Sequence, residues 1–457
     1  MSDRTKPSTS DLPQFHPNAA GIDIGASSHF IAIPADRCDE PVQEFQCFTG
    51  DLHRAAHWLK DHSITTVAME STGIYWLPLF EILEEAGLEV ILVNARHVKN
   101  VPGRKTDVLD SQWIQQLHSY GLLSGVFQPD QMIAPLRAYT RHRENWTCYA
   151  GQHIQPMQKA LRLMNLNLDA VVADITGATG TKIIQAILDG ERNAQTLAGL
   201  RDVRCKKTEV EIAQALDGHY RAEHVFSLQQ AFASYTFYRQ QIIDCDKQIA
   251  ACMDKLNQDT PEAPQNDKES KRPKRRARHE PDFNLHGELY RLTGVDLTKI
   301  EGVGAYTALK VISETGTDMS RWGNAKRFCS WLGLAPGSKV SGGKVISAKT
   351  KPTANRAAAA LRLAAQSLSR SKSALGAYYR KQRYHLGAPK AITATAHKLA
   401  RIIYALLSQG GSYDDPGETA YEEKYQARVK KNLTRKARRL GYELVAIGTG
   451  ELSGNLV

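Results

Sequence analysis

Paired cysteines, a secretory leader and long apolar runs are all missing from this sequence of 457 residues. The seven cysteines contain no CxxC pair, which argues against a zinc site and a secreted disulfide framework and favours reduced thiols. Cys245 and Cys252 lie seven residues apart on a predicted helix, where packing explains them better than metal binding does. The polar segment 1–17 lacks the apolar core of a signal peptide, and no run is long enough to span a bilayer. We therefore expect a cytoplasmic protein without a membrane partner.

The charge balance is positive, with 59 Lys and Arg against 48 Asp and Glu and a formal net charge of +11. Such a balance on a large chain favours a polyanionic partner, most often nucleic acid, although a generic basic protein is the plain alternative. Hydrophobic residues make up 42% of the chain, which is typical of globular proteins. The length predicts two or three domains with an ample core.

Hydrophobic periodicity after a flexible tail at residues 1–18 predicts an α/β domain at residues 19–165. The predicted elements are strands at 21–25, 30–34 and 42–48, a helix at 51–62, a strand at 65–70, a helix at 75–86, a strand at 89–94 and a helix at 108–120. Three strands in a meander followed by strand–helix alternation indicate the topology of an RNase H-like domain.

Four acidic residues of this domain are candidate metal ligands. Asp23 lies within an apolar strand, Glu70 ends another strand, and Asp107 and Asp110 begin a helix on one face, one turn apart. Each acid alone could be a surface charge or a helix N-terminal residue. Burying Asp23 unpaired would be costly, however, and four converging carboxylates require a cation. Oxygen-only ligands favour Mg²⁺ or Mn²⁺, and such a set suits two-metal phosphoryl transfer on nucleic acid.

The middle of the chain is predicted to be helical and then disordered. Residues 166–256 are predicted to form a helical linker and a coiled-coil or helical-hairpin arm. The long polar pattern of the arm from 207 to 256, with almost no helix breakers, favours self-association. Residues 257–283 form a predicted disordered linker with a basic run. This run has two interpretations, a solvated loop or a contact with backbone phosphates. Lys105, just before the last helix of the α/β domain, has the same two interpretations. The candidate phosphate contacts in the run are Lys271, Arg272, Lys274, Arg275, Arg276 and Arg278.

A mainly helical C-terminal domain is predicted at residues 284–420, followed by a basic tail at 421–457. Glu301-Gly302-Val303-Gly304 resembles a helix-hairpin-helix turn, in which glycines let backbone N–H groups approach a phosphate. Ser341 lies between Lys339 and Lys344 in a glycine loop, where a serine nucleophile could form a covalent link to DNA. An ordinary Gly-Ser turn is the plain alternative, and Ser338 is a nearby competitor.

These motifs together resemble one family of bacterial insertion-sequence enzymes, the DEDD transposases. The similarity rests on Gly21-Ile22-Asp23-Ile24-Gly25, on Glu70-Ser71-Thr72-Gly73 and on the segment from Asn94 to Asp110. It continues, in the family's order, through Trp331-Leu332-Gly333-Leu334-Ala335-Pro336 and Ser341-Gly342-Gly343-Lys344. The similarity extends from about residue 19 to about residue 410. Each motif alone is weak, and their combination is specific.

The resemblance implies a RuvC-like N-terminal domain and a separate C-terminal transposase domain. Asp23, Glu70, Asp107 and Asp110 would bind the metal, and Ser341 would form a phosphoserine intermediate with DNA. Composite sites would form across a homodimer or homotetramer. A structured non-coding bridge RNA would pair with donor and target DNA in a nucleoid-associated bacterial enzyme. The alternative functions are a RuvC-like, metal-dependent endonuclease of the junction-resolving type that uses only water, and a non-catalytic binding protein.

Overall fold

The structure, a computed structural model, describes residues 13–71, 73–93, 107–258 and 280–445. It divides into two compact units, Met1–Gln128 and Pro129–Val457. The finer domain boundaries expected from the sequence stay predictions. Lys105 and the basic run at 271–278 lie outside the described residues, so their roles also stay predictions.

The first unit is a mixed α/β structure around a five-stranded sheet with the strand order β3-β2-β1-β4-β5. The first three strands are antiparallel neighbours, whereas β4 pairs parallel with both β1 and β5. The mixed α/β class predicted from the sequence is confirmed. The elements are β1 (Ala19–Ile24), β2 (Ser28–Ala32), β3 (Val42–Gln46), α1 (Thr49–Asp61), β4 (Thr66–Glu70), α2 (Leu77–Glu85), β5 (Glu89–Val93) and α3 (Asp107–Ser119).

The two faces of β1 differ because side chains alternate along a strand. Ile22 and Ile24 are buried in the main core of this unit, together with residues from α1 and α2. Gly21 and Asp23 belong to the opposite face, which α3 covers. This face holds a small cluster formed by Ala68, Val93 and Ile114. Central β1 is therefore buried on both faces, and its one acid is held away from the main core.

The second unit begins with helices that pack around one long helix. That helix, α10, spans 35 residues, and its buried side chains face α4 and α5 of the same chain. The long arm helix is thus present, while its use in association between copies stays a prediction. The helices in this part are α4 (Ala134–Gln152), α5 (Ile154–Leu163), α6 (Leu168–Val171), α7 (Ala178–Leu188), α8 (Ala194–Gly199), α9 (Glu209–Ala215) and α10 (Ala222–Leu256).

The long helical pattern predicted from 207 to 256 contains one interruption. The helix is broken between α9 and α10, where the backbone N–H of His219 donates to the carbonyl oxygen of Met164 at 2.8 Å. A Cβ atom at Gly218 would lie 2.3 Å from that same oxygen. The break therefore comes from a tertiary contact with the end of α5, which periodicity along the chain could not indicate.

The C-terminal part of this unit is mainly helical, with one short β-hairpin. Gly302 in the glycine turn before α12 has φ +86°, and a Cβ atom there would lie 2.9 Å from the carbonyl oxygen of Ala364. Close packing thus accounts for that glycine. The elements are α11 (Leu285–Thr293), α12 (Ala305–Thr315), α13 (Ala325–Trp331), β6 (Lys339–Ser341), β7 (Lys344–Ser347), α14 (Arg356–Ser367), α15 (Ala374–Leu386), α16 (Ala388–Gln409) and α17 (Gly417–Arg439).

All seven cysteines are unpaired in the structure, and their reduced state stays an expectation from the sequence. Cys245 and Cys252 both lie on α10 and are partly buried, and burial raises the pKa of each thiol. None of the described helices is both long and apolar enough to cross a membrane.

Candidate metal centre and serine hairpin

Asp23 and Glu70 lie at the neighbouring ends of two parallel strands. The register pairs Ile22 of β1 with Met69 of β4, so the two acids follow side by side, one residue further along. The Glu70 side chain is buried, and Asp23 is partly buried. Parallel pairing therefore brings together two carboxylates that are 47 positions apart in the sequence.

Gly21 determines how closely α3 approaches β1. A Cβ atom at this position would lie 2.1 Å from the backbone nitrogen of Gln115 and 2.4 Å from the carbonyl oxygen of Ser111. The side chain of Gln115 also donates to the carbonyl oxygen of Ala19 at 3.3 Å. Helix α3 therefore runs antiparallel to β1, and its first turn lies toward the Asp23 end of the strand.

That first turn contains Asp107 and Asp110. Asp107 is exposed and Asp110 is partly buried. Burial, followed by the charges of Glu70, Asp107 and Asp110, raises the pKa of Asp23 from 3.8 to about 6. The four acids predicted from the sequence thus form one electrostatic cluster around Asp23, although two strands and a helix supply them.

The donor set of this acid cluster suits a hard divalent cation. Its four carboxylates supply only oxygen ligands, which Mg²⁺ and Mn²⁺ prefer, and a cation would neutralise the mutual repulsion that raises the pKa of Asp23. Within the described ranges, no three His, Cys, Asp or Glu side chains are close enough to hold one ion together. The four carboxylates therefore have the right chemistry for a divalent cation, but their arrangement does not define a coordination geometry.

The far end of α3 is held by a neutral histidine. His118 is buried, and its Nε2 lies 2.9 Å from the hydroxyl oxygen of Thr66 on β4. Burial, together with the nearby charge of His16, lowers the pKa of His118 to about 4. A neutral ring can share a hydrogen bond with Thr66 at physiological pH and thereby fix the helix that carries Asp107 and Asp110.

Ser341 lies at the tip of the exposed hairpin β6–β7, where it pairs with Lys344. Gly342 and Gly343 have φ values of +56° and +74°. Two left-handed residues form the tight turn that suits a two-residue hairpin, so the turn itself requires both glycines. The loop expected from the sequence is thus a β-hairpin, and Lys339 and Lys344 lie exposed on it beside the serine.

Sequence reasoning overlooked a long stretch without acidic residues. No Asp or Glu occurs between Asp318 and Asp414, although this stretch contains 17 Lys and Arg residues. It includes the serine hairpin and helices α13 to α16. Counting acids along the chain would have found it, because acids elsewhere are frequent. A stretch of this charge is the electrostatic footprint expected of a surface that binds nucleic acid.

One cavity in this acid-free stretch has two basic residues in a mainly apolar lining. It measures about 430 Å³ and lies between α13 and α16, with Lys398 and Arg401 in its lining. Burial, followed by the charges of Arg428 and Arg401, lowers the pKa of Lys398, while Asp415 opposes this shift. Lys398, Arg401 and Arg428 therefore lie close together, and only Arg428 belongs to a region, the basic tail, that the sequence had indicated.

The mixed α/β fold and the acid cluster are compatible with an enzyme that acts on nucleic acid, and comparison with known proteins identifies the family. Residues 20–166 match the transposase model of IS110 DEDD enzymes, and residues 296–380 match the model described as Transposase IS116/IS110/IS902 family. No curated protein matches the chain.

The two models together cover just over half of the chain and occur in the order that the family resemblance predicted. This protein belongs to the IS110-type insertion-sequence transposases. It is a transposase or recombinase that acts on DNA, and a DEDD-type enzyme of this kind requires a divalent metal.

Proposed function

We propose that the first unit is an RNase H-like nuclease domain in which Asp23, Glu70, Asp107 and Asp110 hold Mg²⁺ or Mn²⁺. The observation that carries this proposal is the β1–β4 register, which sets Asp23 beside Glu70, together with the close approach of α3 to β1 at Gly21. The raised pKa of Asp23, to which burial and the other three acids contribute, agrees with it. The strand order β3-β2-β1-β4-β5, with three antiparallel strands followed by two parallel ones, also supports it. When bound, the metal would stabilise charge on the attacking and leaving oxygens of the phosphate.

We further propose that Ser341 is the nucleophile of strand exchange. Its Oγ attacks a DNA phosphorus atom and displaces one strand, which leaves a phosphoserine ester. A hydroxyl of the incoming strand then displaces Oγ and restores the phosphodiester. The exposed hairpin tip lets a bulky DNA backbone reach Ser341, and Lys339 and Lys344 lower the cost of bringing a phosphate there.

Replacement of Ser341 by Ala tests this step. We expect the variant to lose strand exchange and the covalent protein–DNA adduct, measured with labelled DNA on denaturing gels. Ser338→Ala is the matched control, because Ser338 is also exposed and only three residues away. Unchanged cleavage by the Ser341 variant would favour the water-using endonuclease. Loss of the adduct in the Ser338 variant alone would move the nucleophile to Ser338.

We propose that the enzyme is a homo-oligomer whose acids and serine act across subunits. Phe226, Phe237 and Ile243 support self-association, because they remain exposed along α10. Mixing Asp23→Asn protein with Ser341→Ala protein should restore part of the strand-exchange activity if one subunit supplies the acids and another supplies the serine. A mixture that is as inactive as each variant alone would exclude the composite site.

We also propose a structured non-coding bridge RNA as the guide that pairs with donor and target DNA. The net charge of +11 and the acid-free stretch support a second polyanionic partner. Sequencing RNA that co-purifies with the protein tests this proposal. RNA that maps to the DNA flanking the gene would support it, and purification without any enriched RNA would count against it.

A further inference from the structure

Helix α17, which lies beyond both family matches, is anchored only through its first half. Glu418 forms an ion pair with Arg380 at 2.6 Å, and the ring of Tyr421 contacts that of Tyr378 on α15. No residue of this helix is buried. At about 1.5 Å per residue, the eleven residues after Arg428 form a rod of about 16 Å with solvent around it.

The second half of α17 is strongly basic. Residues 424–440 contain eight Lys and Arg residues and no Asp or Glu. Five of them recur at intervals of four and three, so they share one face of the helix. We call this face the cationic stripe, and its members are Lys424, Arg428, Lys431, Arg435 and Arg438.

Helix stability does not explain the cationic stripe. Like charges three or four residues apart destabilise a helix by about 0.2–0.5 kcal/mol per pair. The stripe contains four such neighbouring pairs, and only the last turn gains from the helix dipole. A polyanion laid along this face would remove the repulsion, so the arrangement suits binding better than folding.

The cationic stripe continues onto the body of the second unit. Arg428 lies close enough to Lys398 on α16 to lower the pKa of that lysine, as does Arg401. Lys398 and Arg401 line the cavity between α13 and α16. A phosphate backbone that follows the stripe would therefore meet a second group of cations at its inner end.

Two polyanionic surfaces could accept a basic helix of this kind, namely duplex nucleic acid and an anionic membrane. The apolar residues on the face opposite the stripe are Val429, Leu433, Ala437 and Leu440, which form a small apolar area for a membrane-bound helix. The major groove of B-DNA is about 12 Å wide and accepts a helix about 10–12 Å across. The major groove of A-form RNA is too narrow for this.

We propose that the exposed second half of α17 lies in the major groove of duplex DNA, with the cationic stripe on the phosphates that line the groove. This contact needs neither divalent metal nor Ser341. It gives the transposase a DNA-binding contact outside the acid cluster and the serine hairpin.

The test uses the full-length triple variant Lys431→Ala, Arg435→Ala and Arg438→Ala, because alanine preserves the helix. The control triple variant is Lys182→Ala, Lys206→Ala and Lys255→Ala, which removes three exposed cations elsewhere in the second unit. Affinity for a 30-bp duplex is measured in EDTA over a range of salt concentrations. Unchanged circular dichroism and melting temperature establish that both variants are folded.

We expect the stripe variant to lose at least about tenfold in DNA affinity at low salt and to reduce the slope of log K against log salt by about 2.7, since each phosphate contact contributes about 0.9. The control variant should change affinity less than threefold. Equal slopes for the two triple variants would overturn the proposal. So would a loss confined to duplex RNA or to vesicles with anionic lipids. Because binding is measured in EDTA, where neither cleavage nor strand exchange takes place, failure of this proposal is distinguishable from failure of the catalytic one.

Discussion

Asp23→Asn should reduce metal-dependent DNA cleavage at least about 100-fold. Loss of a partner in the outer shell alone costs a metal site up to about 100-fold, and a direct ligand should matter at least as much. The reason is that an amide keeps the size of the side chain but removes the charge at the centre of the acid cluster. Cleavage of labelled DNA is measured in Mg²⁺ and in Mn²⁺. Asp36→Asn is the control, since Asp36 is an exposed acid of the same unit. Activity close to that of the unaltered protein would exclude Asp23 from the metal site.

The same Asp23 substitution should stabilise the metal-free protein. Folding raises the pKa of Asp23 from 3.8 to about 6, so the folded state holds a proton more tightly than the unfolded state does. Its contribution to stability is complete below pH 4 and is lost as the pH rises through 6. A shift of about two units corresponds to roughly 3 kcal/mol, and solvent screening of this partly exposed group reduces it to about 1 kcal/mol.

Melting curves in EDTA check this prediction. At pH 7.5 the Asp23→Asn variant should melt a few degrees higher than the unaltered protein, and the difference should vanish near pH 4. A gain that does not depend on pH would show that the carboxylate charge is not its cause. Lower melting temperatures at both pH values would show that the amide disturbs packing instead.

Gly21→Ala should have the second large effect, although Gly21 has no side chain to offer the reaction. Its new Cβ atom would lie 2.1 Å and 2.4 Å from backbone atoms of α3. Backbone cannot rotate away as a long side chain can, so the whole helix must shift. We expect a loss of about 2–3 kcal/mol in the free energy of unfolding, measured by chemical denaturation, which is the upper range for overpacking.

Cleavage activity should fall with the same Gly21 substitution. Movement of α3 would carry Asp107 and Asp110 away from Asp23, and a displacement of about 1 Å can cost roughly 100-fold in rate. Gly50→Ala on α1 is the matched control, since a Cβ atom there meets nothing within 4 Å. That variant should remain fully active with equal or slightly greater stability. A stable and active Gly21→Ala protein would contradict the close approach of α3 to β1.

The sequence revealed the acidic residues of the candidate site more readily than the residues that hold them in position. An acid inside an apolar strand, as in Ile22-Asp23-Ile24, stands out because burial of an unpaired charge is costly. Gly21 carried no comparable signal. Its role depends on α3, whose Ser111 and Gln115 are 90 or more positions away in the sequence.

Local sequence patterns predicted some features of the second unit and missed others. The helical pattern predicted at 207–256 did not locate the break near Gly218, which a contact with Met164 produces. The glycines after Ser341 had two interpretations, room for a phosphate or an ordinary turn, and their positive φ angles agree with the turn. The segment of α17 was predicted only as a basic tail, because charge patterning alone does not show that a helix extends into solvent.

The amino-acid sequence by itself determined the element types of the first unit, the four candidate acids and the order of motifs that matches the family. These depend on periodicity, residue chemistry and chain order, which are all local properties. Only the tertiary structure decided that the four acids act on one another, that Gly21 admits α3 and that the cationic stripe of α17 is exposed. Such features depend on which distant segments touch, and packing of the whole chain determines that.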